Sequence, residues 1–367
     1  MTDGPRAEIR LGAIRHNLEL IKNFLPGAPL MAVVKANAYG HGICEVANAI
    51  ADVDCLAVAR IGEAARLREA DIATPIVVLG GAFSAVETDK AASLDVQLVV
   101  HNPEQVTWLE QSAMRWPVIW MKIDSGMNRL GFRLDDAGDM IRKLTDSDRV
   151  GELRLMTHFA SADRPDSNAT SRQVERFFEV IEDFDGAISV ANSPAVFGWR
   201  DLLERVARTR APGSFWLRPG LALYGLSPVA DQRASGLGLE PAMRLVSPLV
   251  AVKPLPAGEA VGYGGTWTAD RDTTLGVIAA GYGDGYSRHV PSGTPVVVNE
   301  RRVPVIGRVS MDLTAVDLGP DAEDRVGDDA ELWGPSLPLE EVAMHADTIT
   351  YTLACAVGQR VERHYVD

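Results

Sequence analysis

Lys35 closes the apolar run Met31–Val34 and is followed by Ala-Asn-Ala-Tyr-Gly-His-Gly. An ammonium at the end of a buried strand is costly unless it is paired or serves as an amine nucleophile. Other polar groups close apolar runs in the same way: Lys122 with Asp124, His158, Asn192 with Ser193, and Arg218. In folds that alternate strand and helix around a barrel, chemistry sits at the C-terminal ends of the strands. These residues fall at those ends. Residue type alone leaves bland readings open: His158 as a satisfied core histidine, Ser193 as a turn hydroxyl, Arg218 as one half of a structural ion pair.

The elements that must position them are short β-rich runs separated by helical patterns. The runs are 30–36, 55–59, 75–80, 96–100, 118–124, 153–160, 188–193 and, last, 215–220. Several are apolar almost throughout, as strands buried on both faces should be. Between them lie helical stretches such as 60–70 and 171–184. Repeated strand–helix units imply parallel strands with right-handed crossovers, and the number of runs predicts a (β/α)8 TIM barrel. An open doubly wound sheet is the alternative, but no G-x-G-x-x-G turn follows the first run. After about residue 235 the pattern changes to strands and turns punctuated by Pro and Gly, and Asn299-Glu300-Arg301-Arg302 reads as a hairpin turn. The predicted organisation is a barrel over 1–235 and a mainly β domain over 236–367.

The chain has 367 residues and a formal charge of −14, from 36 basic and 50 acidic side chains. Two domains suit that length. The acidic balance repels phosphate backbones and anionic surfaces, so neither nucleic acid nor a membrane is expected as a partner. No apolar run approaches the roughly 20 residues that span a bilayer. The first 20 residues hold no uninterrupted apolar segment, so no signal peptide is expected and the expected location is cytoplasmic. Cys44, Cys55 and Cys355 show no metal spacing, which fits reduced thiols and no metal site.

Longer motifs then enter. Residues 32–42 (AVVKANAYGHG) resemble the cofactor-lysine motif of the alanine racemase family. Residues 121–132 (MKIDSGMNRLGF), 156–163 (MTHFASAD), 191–195 (ANSPA), 218–225 (RPGLALYG), 261–267 (VGYGGTW), 281–288 (GYGDGYSR) and 307–312 (GRVSMD) resemble further motifs of that family, in its order. The likeness runs from about residue 7 to residue 363.

The resemblance implies an enzyme that interconverts L- and D-alanine with pyridoxal 5'-phosphate, the electron sink for amino-acid chemistry. It assigns Lys35 the covalent bond to the cofactor. Tyr39, Ser193 and the backbone amides of Gly220 and Leu221 would hold the phosphate. Arg218 would contact the pyridine nitrogen, where many other enzymes place a carboxylate. Arginine keeps its proton, so the ring nitrogen is discouraged from protonating and side reactions such as transamination are limited. His158 would lie by the ring and hydrogen-bond the catalytic tyrosine. Arg129 would contact the cofactor's phenolic oxygen and the substrate carboxylate. The lysine matching Lys122 is often carbamylated in the family and orients that arginine; an unmodified ion pair with Asp124 is the other reading.

Tyr263, by the same resemblance, is the second base. Racemisation removes a proton from one face and returns one to the other, which two opposed bases do more simply than one. A tyrosine of ordinary pKa, about 10, needs cationic or hydrogen-bonding neighbours to serve near neutrality. Family members are homodimers in which this tyrosine comes from the partner, so two-fold symmetry would give shared active sites. Tyr282, Ser310, Met311 and Asp312 would line the substrate entrance, where Tyr282 and Met311 exclude long side chains; Met311 also reads as core filler. Some relatives carry a phosphate-binding tyrosine matched here to Gln359, an apparent departure. The physiological role is left between supply of D-alanine for peptidoglycan and alanine catabolism. A broad-specificity amino acid racemase is the rival within enzymes. A non-catalytic barrel that only carries the cofactor is the rival outside them, and such a protein has no use for the β domain with VGYGGTW.

Overall fold

The computed structural model describes residues 4–367. Residues 1–3, where the expected barrel domain begins, lie outside the described residues. The first strand, β1 (Arg6–Arg10), is followed by a parallel sheet of eight strands in sequence order. These are β2 (Met31–Val33), β3 (Cys55–Val58), β4 (Ile76–Val78), β5 (Gln97–Val100), β6 (Trp116–Lys122), β7 (Val150–Met156), β8 (Ile188–Asn192) and β9 (Phe215–Arg218). Leu30 bridges Leu217 in parallel, and the Val33 amide donates to Pro219 O at 2.9 Å, so β9 returns to β2 and the barrel closes. Each run read as a strand is one, although several leave the ladder earlier than expected. β2 ends at Val33 rather than Ala36, because the backbone turns left-handed just beyond Lys35.

Side-chain caps fix where the crossover helices begin. Ser84 Oγ accepts from Glu87 N at the start of Ala85–Ser93, and Asn102 Oδ1 accepts from Gln105 N at the start of Pro103–Gln111. Asn192 Oδ1 likewise accepts from Ala195 N, which sets the helix Ser193–Gly198 directly on the end of β8.

The second domain is built on β10 (Met243–Leu255), a long strand that changes partners along its length. It pairs antiparallel with β13 (Thr273–Ile278) and β17 (Asp329–Trp333), and β13 pairs in turn with β16 (Thr314–Asp317). A short ribbon, β11 (Ala260–Val261) with β12 (Trp267–Thr268), lies beside Tyr263. The hairpin of β14 (Pro295–Val298) and β15 (Arg301–Pro304) turns at Asn299 and Glu300, both with positive φ, as a primed two-residue turn requires. The last strand is β18 (Glu362–Val366).

One assignment is corrected. β1, expected within the barrel domain, pairs antiparallel with β10 and parallel with β18. Its pattern explains this: Ala7 and Ile9 are fully buried while Arg6, Glu8 and Arg10 stay half-buried, the alternation of a strand with one wet face. Arg6 pairs with Asp329 and Glu8 with Arg244, on strands of the same sheet. From β1 in the sheet of the β domain the chain goes on to build the barrel and then returns. That domain also holds two unforeseen helices, Leu339–His345 and Thr350–Ala356. No helix among the described residues is long and apolar enough to cross a membrane.

Candidate active site

The C-terminal strand ends surround a cavity of about 480 Å³. Lys35, Tyr39, Lys122, Arg129, His158, Ser193, Arg218, Gly220 and Leu221 all line it. These come from β2, β6, β7, β8 and β9 or the turns just after them, so the barrel alone brings them together.

Lys35 opens a turn of uncommon geometry. Ala36, Asn37, Ala38 and Tyr39 follow with φ of 53, 56, 52 and 51°. A left-handed residue other than glycine costs roughly 1 kcal/mol or more, so a run of them persists only when its surroundings hold it. Glu63 Oε1 accepts from Ala36 N at 2.6 Å, and Asn37 Oδ1 accepts from Ile43 N at 3.1 Å. His41 Nδ1 lies 3.0 Å from both Ala38 O and Tyr39 O, and carbonyls only accept, so that nitrogen carries the proton. At the exit Gly40 has φ of 86°, and a Cβ there would lie 2.1 Å from Ala354 O. Only glycine lets the turn pass the helix Thr350–Ala356.

The cavity is strongly cationic. Burial, then Arg129 and Arg218, hold the Lys35 amine below its ordinary pKa, while Glu63 and Cys355 oppose them. Burial, then Arg218 and Arg129, push Lys122 down to about 8. Asp124 is spent elsewhere: it accepts from the amides of Gly126 and Asn128 and pairs with Arg133 at 3.6 Å. No Lys122–Asp124 contact of ion-pair length forms among the described residues, although the Asp124 charge still opposes the lowering of the Lys122 amine. Burial and the same cations hold His158 well below its ordinary value. Arg218 donates through Nη2 to Thr157 O at 2.7 Å, and its Nε is buried with no partner. A concentration of cations with idle donors requires an anionic, acceptor-bearing ligand.

At the other end, Ser193 Oγ accepts from Gly220 N at 2.8 Å and Ala222 N at 3.3 Å. Having only accepted in these bonds, the hydroxyl still has a proton to donate. Leu221 begins a 3-10 turn, so its amide has no partner within that turn. A Cβ at Gly220 would lie 2.6 Å from Tyr39 Oη, which accounts for glycine there. Tyr39 stacks on Tyr224 at 4.8 Å and meets Tyr351 at 5.7 Å. Tyr351 lines the cavity and was missed in the sequence; Gln359 does not line it and faces a separate surface recess. The missing signal was the helix Thr350–Ala356, which carries a tyrosine over the barrel mouth.

Five expected residues, Tyr263, Tyr282, Ser310, Met311 and Asp312, are not brought to the cavity of their own chain. Tyr263, Tyr282 and Met311 stand on the β domain, 67%, 38% and 53% exposed, and none lines it. Met311 is thus not core filler. Asp312 pairs with Arg360, and Ser310 Oγ donates to Leu313 O.

A closed parallel barrel followed by a β domain, with a lysine, a histidine and two arginines converging at the strand ends, defines a class of barrel enzyme built for an anionic ligand. The sequence profile of the alanine racemase N-terminal domain matches residues 9–228, and that of the alanine racemase C-terminal domain matches residues 242–365. The alanine racemase of Vibrio cholerae is 47% identical over 362 residues, covering 98% of this chain and 97% of the relative. That of Pectobacterium atrosepticum is 46% identical over 363 residues, covering 98% of each. The crystal structure of the biosynthetic alanine racemase from Pseudomonas aeruginosa superposes with a TM-score of 0.93 at 42% identity, covering all of both chains. The alanine racemase of Acinetobacter baumannii gives 0.91 at 32%, again over both whole chains. The chain belongs to the alanine racemase family and is an enzyme of that activity.

Proposed function

We propose that the protein holds pyridoxal 5'-phosphate on Lys35 and racemises alanine between two bases, Lys35 and the Tyr263 of a second copy. The cavity residues fit that cofactor. The unpartnered Nε of Arg218 suits a ring nitrogen as acceptor, and a guanidinium there would disfavour protonation of that nitrogen. The Ser193 hydroxyl, the Leu221 amide and the hydroxyls of Tyr39 and Tyr351 suit a phosphate. When bound, pyridoxal phosphate supplies an electron sink for the α-carbon of the amino acid.

The residues of the chain do the rest. Arg129 orients the substrate carboxylate. Lys35, held below its ordinary pKa, gives up a proton near neutrality more readily than an exposed lysine and so serves as a base on one face. Tyr263 serves the other. The observation that carries this reading is the separation within one chain: Lys35 lines the cavity, while Tyr263 stands outside it, two-thirds exposed. A two-fold dimer resolves the mismatch, because each exposed tyrosine then completes the partner's site. Tyr282 and Met311 are likewise exposed on the β domain, and their bulk at a shared entrance would suit a substrate as small as alanine. Borohydride treatment of the visibly absorbing protein should fix the cofactor to Lys35. A label on another lysine, or a visible band retained in Lys35→Ala, refutes the assignment.

A further inference from the structure

The Glu63 carboxylate is shared between two jobs. Its Oε2 accepts from Ala59 N at 2.8 Å and Arg60 N at 3.1 Å, where the helix Ile61–Glu69 begins. That is ordinary capping, and one oxygen suffices for it. Its Oε1 reaches across to Ala36 N at 2.6 Å, the first left-handed residue after Lys35. The same carboxylate therefore clamps the end of β3 to the turn that carries Lys35. The two oxygens face different amides, so a side chain with an amide nitrogen in place of one of them leaves one side without an acceptor.

We propose that Glu63 is a positioning residue for Lys35, using its second carboxylate oxygen to pin the left-handed turn at Ala36 and thereby fix the amine in the cavity. The proposal rests on Lys35 being the cofactor-bearing base. The charged and titratable groups that face Lys35 are Arg129, Arg218, Lys122 and His158 from the barrel, Glu63 from behind the turn, and Cys355 from the helix Thr350–Ala356. Arg129 and Arg218 favour the neutral amine, and Glu63 heads the groups that oppose them. Glu63 thus has a second effect through its charge: it keeps Lys35 protonated to higher pH than the arginines alone would allow.

Glu63→Gln separates this role from plain capping, since it keeps shape and one acceptor but loses the other oxygen and the charge. Two readouts are taken on the full chain. The first is kcat of the loaded enzyme. The second is the pH midpoint for competitive acetylation of Lys35, read by mass spectrometry after the cofactor is released with hydroxylamine. Glu63→Gln should lower kcat by on the order of tenfold to a hundredfold, the scale of a small displacement of a reacting group. It should also move the Lys35 midpoint down by roughly half a pH unit, as loss of a nearby opposite charge requires. Glu63→Asp keeps the charge and both oxygens but withdraws them by one methylene, so it should keep the parental midpoint and lose kcat only severalfold. A lower melting temperature with parental kcat and midpoint in Glu63→Gln reduces Glu63 to a helix cap and overturns the proposal. If Glu63→Gln does not accumulate as folded protein, parental kcat in Glu63→Asp overturns it instead. Lys35→Ala run alongside separates the two failures: a borohydride-fixed visible band retained there removes Lys35 itself, whereas a label on Lys35 with parental Glu63 variants removes only Glu63.

Discussion

Arg218 Nη1 lies 3.1 Å from His158 Nδ1. A guanidinium can only donate, so Nδ1 of His158 must accept, and the ring proton sits on Nε2. Burial and the surrounding cations hold the imidazole neutral, so it is free to donate from Nε2 to a hydroxyl. One arginine thus sets the tautomer of His158 while its idle Nε remains for a ring acceptor.

Replacing Arg218 with glutamate reverses both effects. Arg218→Glu puts a carboxylate where the cation stood, so a proton on His158 is favoured and a proton on the ring nitrogen of a bound cofactor would be favoured too. Racemisation should fall at least about tenfold, as removal of an oriented donor from a dry site commonly does. Pyruvate, the product of transamination, should appear above the parental trace. Parental racemisation with no pyruvate would show that Arg218 makes no such contact.

Lys122, pushed down to about 8, is neutral in roughly one molecule in ten at pH 7. A neutral amine among Arg129, Arg218 and Lys35 is placed to take up carbon dioxide, because a carbamate replaces a cation with an anion where anions are lacking. NMR in isotopically labelled bicarbonate should show a carbamate resonance that vanishes in Lys122→Ala. That variant should lose severalfold in kcat/KM and regain part of it with added acetate. A parental spectrum without the resonance would leave Lys122 unmodified.

His41 makes folding depend on pH. Burial holds it at about 4, against roughly 6.5 when the chain unfolds. The unfolded chain therefore takes up a proton that the folded one refuses, and stability falls as pH drops from about 6.5 to 4. The full loss is about 3 kcal/mol, and about 2 kcal/mol of it falls between pH 7 and pH 5. Urea unfolding at those two values should show that difference. His41→Gln, which keeps a donor for Ala38 O and Tyr39 O, should abolish most of it; an unchanged pH slope would place the protonation elsewhere.

The barrel was legible because parallel strands buried on both faces leave unbroken apolar runs, and polar residues such as Lys35, His158 and Arg218 stand out at their ends. The destination of β1 was less visible, since its alternation of Ala7 and Ile9 with charged neighbours spans only five residues. The left-handed turn at Ala36–Tyr39 carried little local signal beyond Asn37, because alanines do not announce positive φ; Glu63 and His41 hold it from outside the run. Tyr351 was hidden for a related reason. It reaches the cavity on a short helix of the β domain, so its role depends on docking between domains rather than on a strand end.

The central claim is that each active site draws on two chains. Lys35→Ala and Tyr263→Phe should each be nearly inactive as homodimers. Mixed by co-expression, they form dimers in which one site receives both defects and the other receives neither. Random pairing makes half the dimers mixed, each with one working site of two, so about a quarter of parental activity should return under two-fold symmetry. No recovery, with mixed dimers verified by mass, would contradict the shared site.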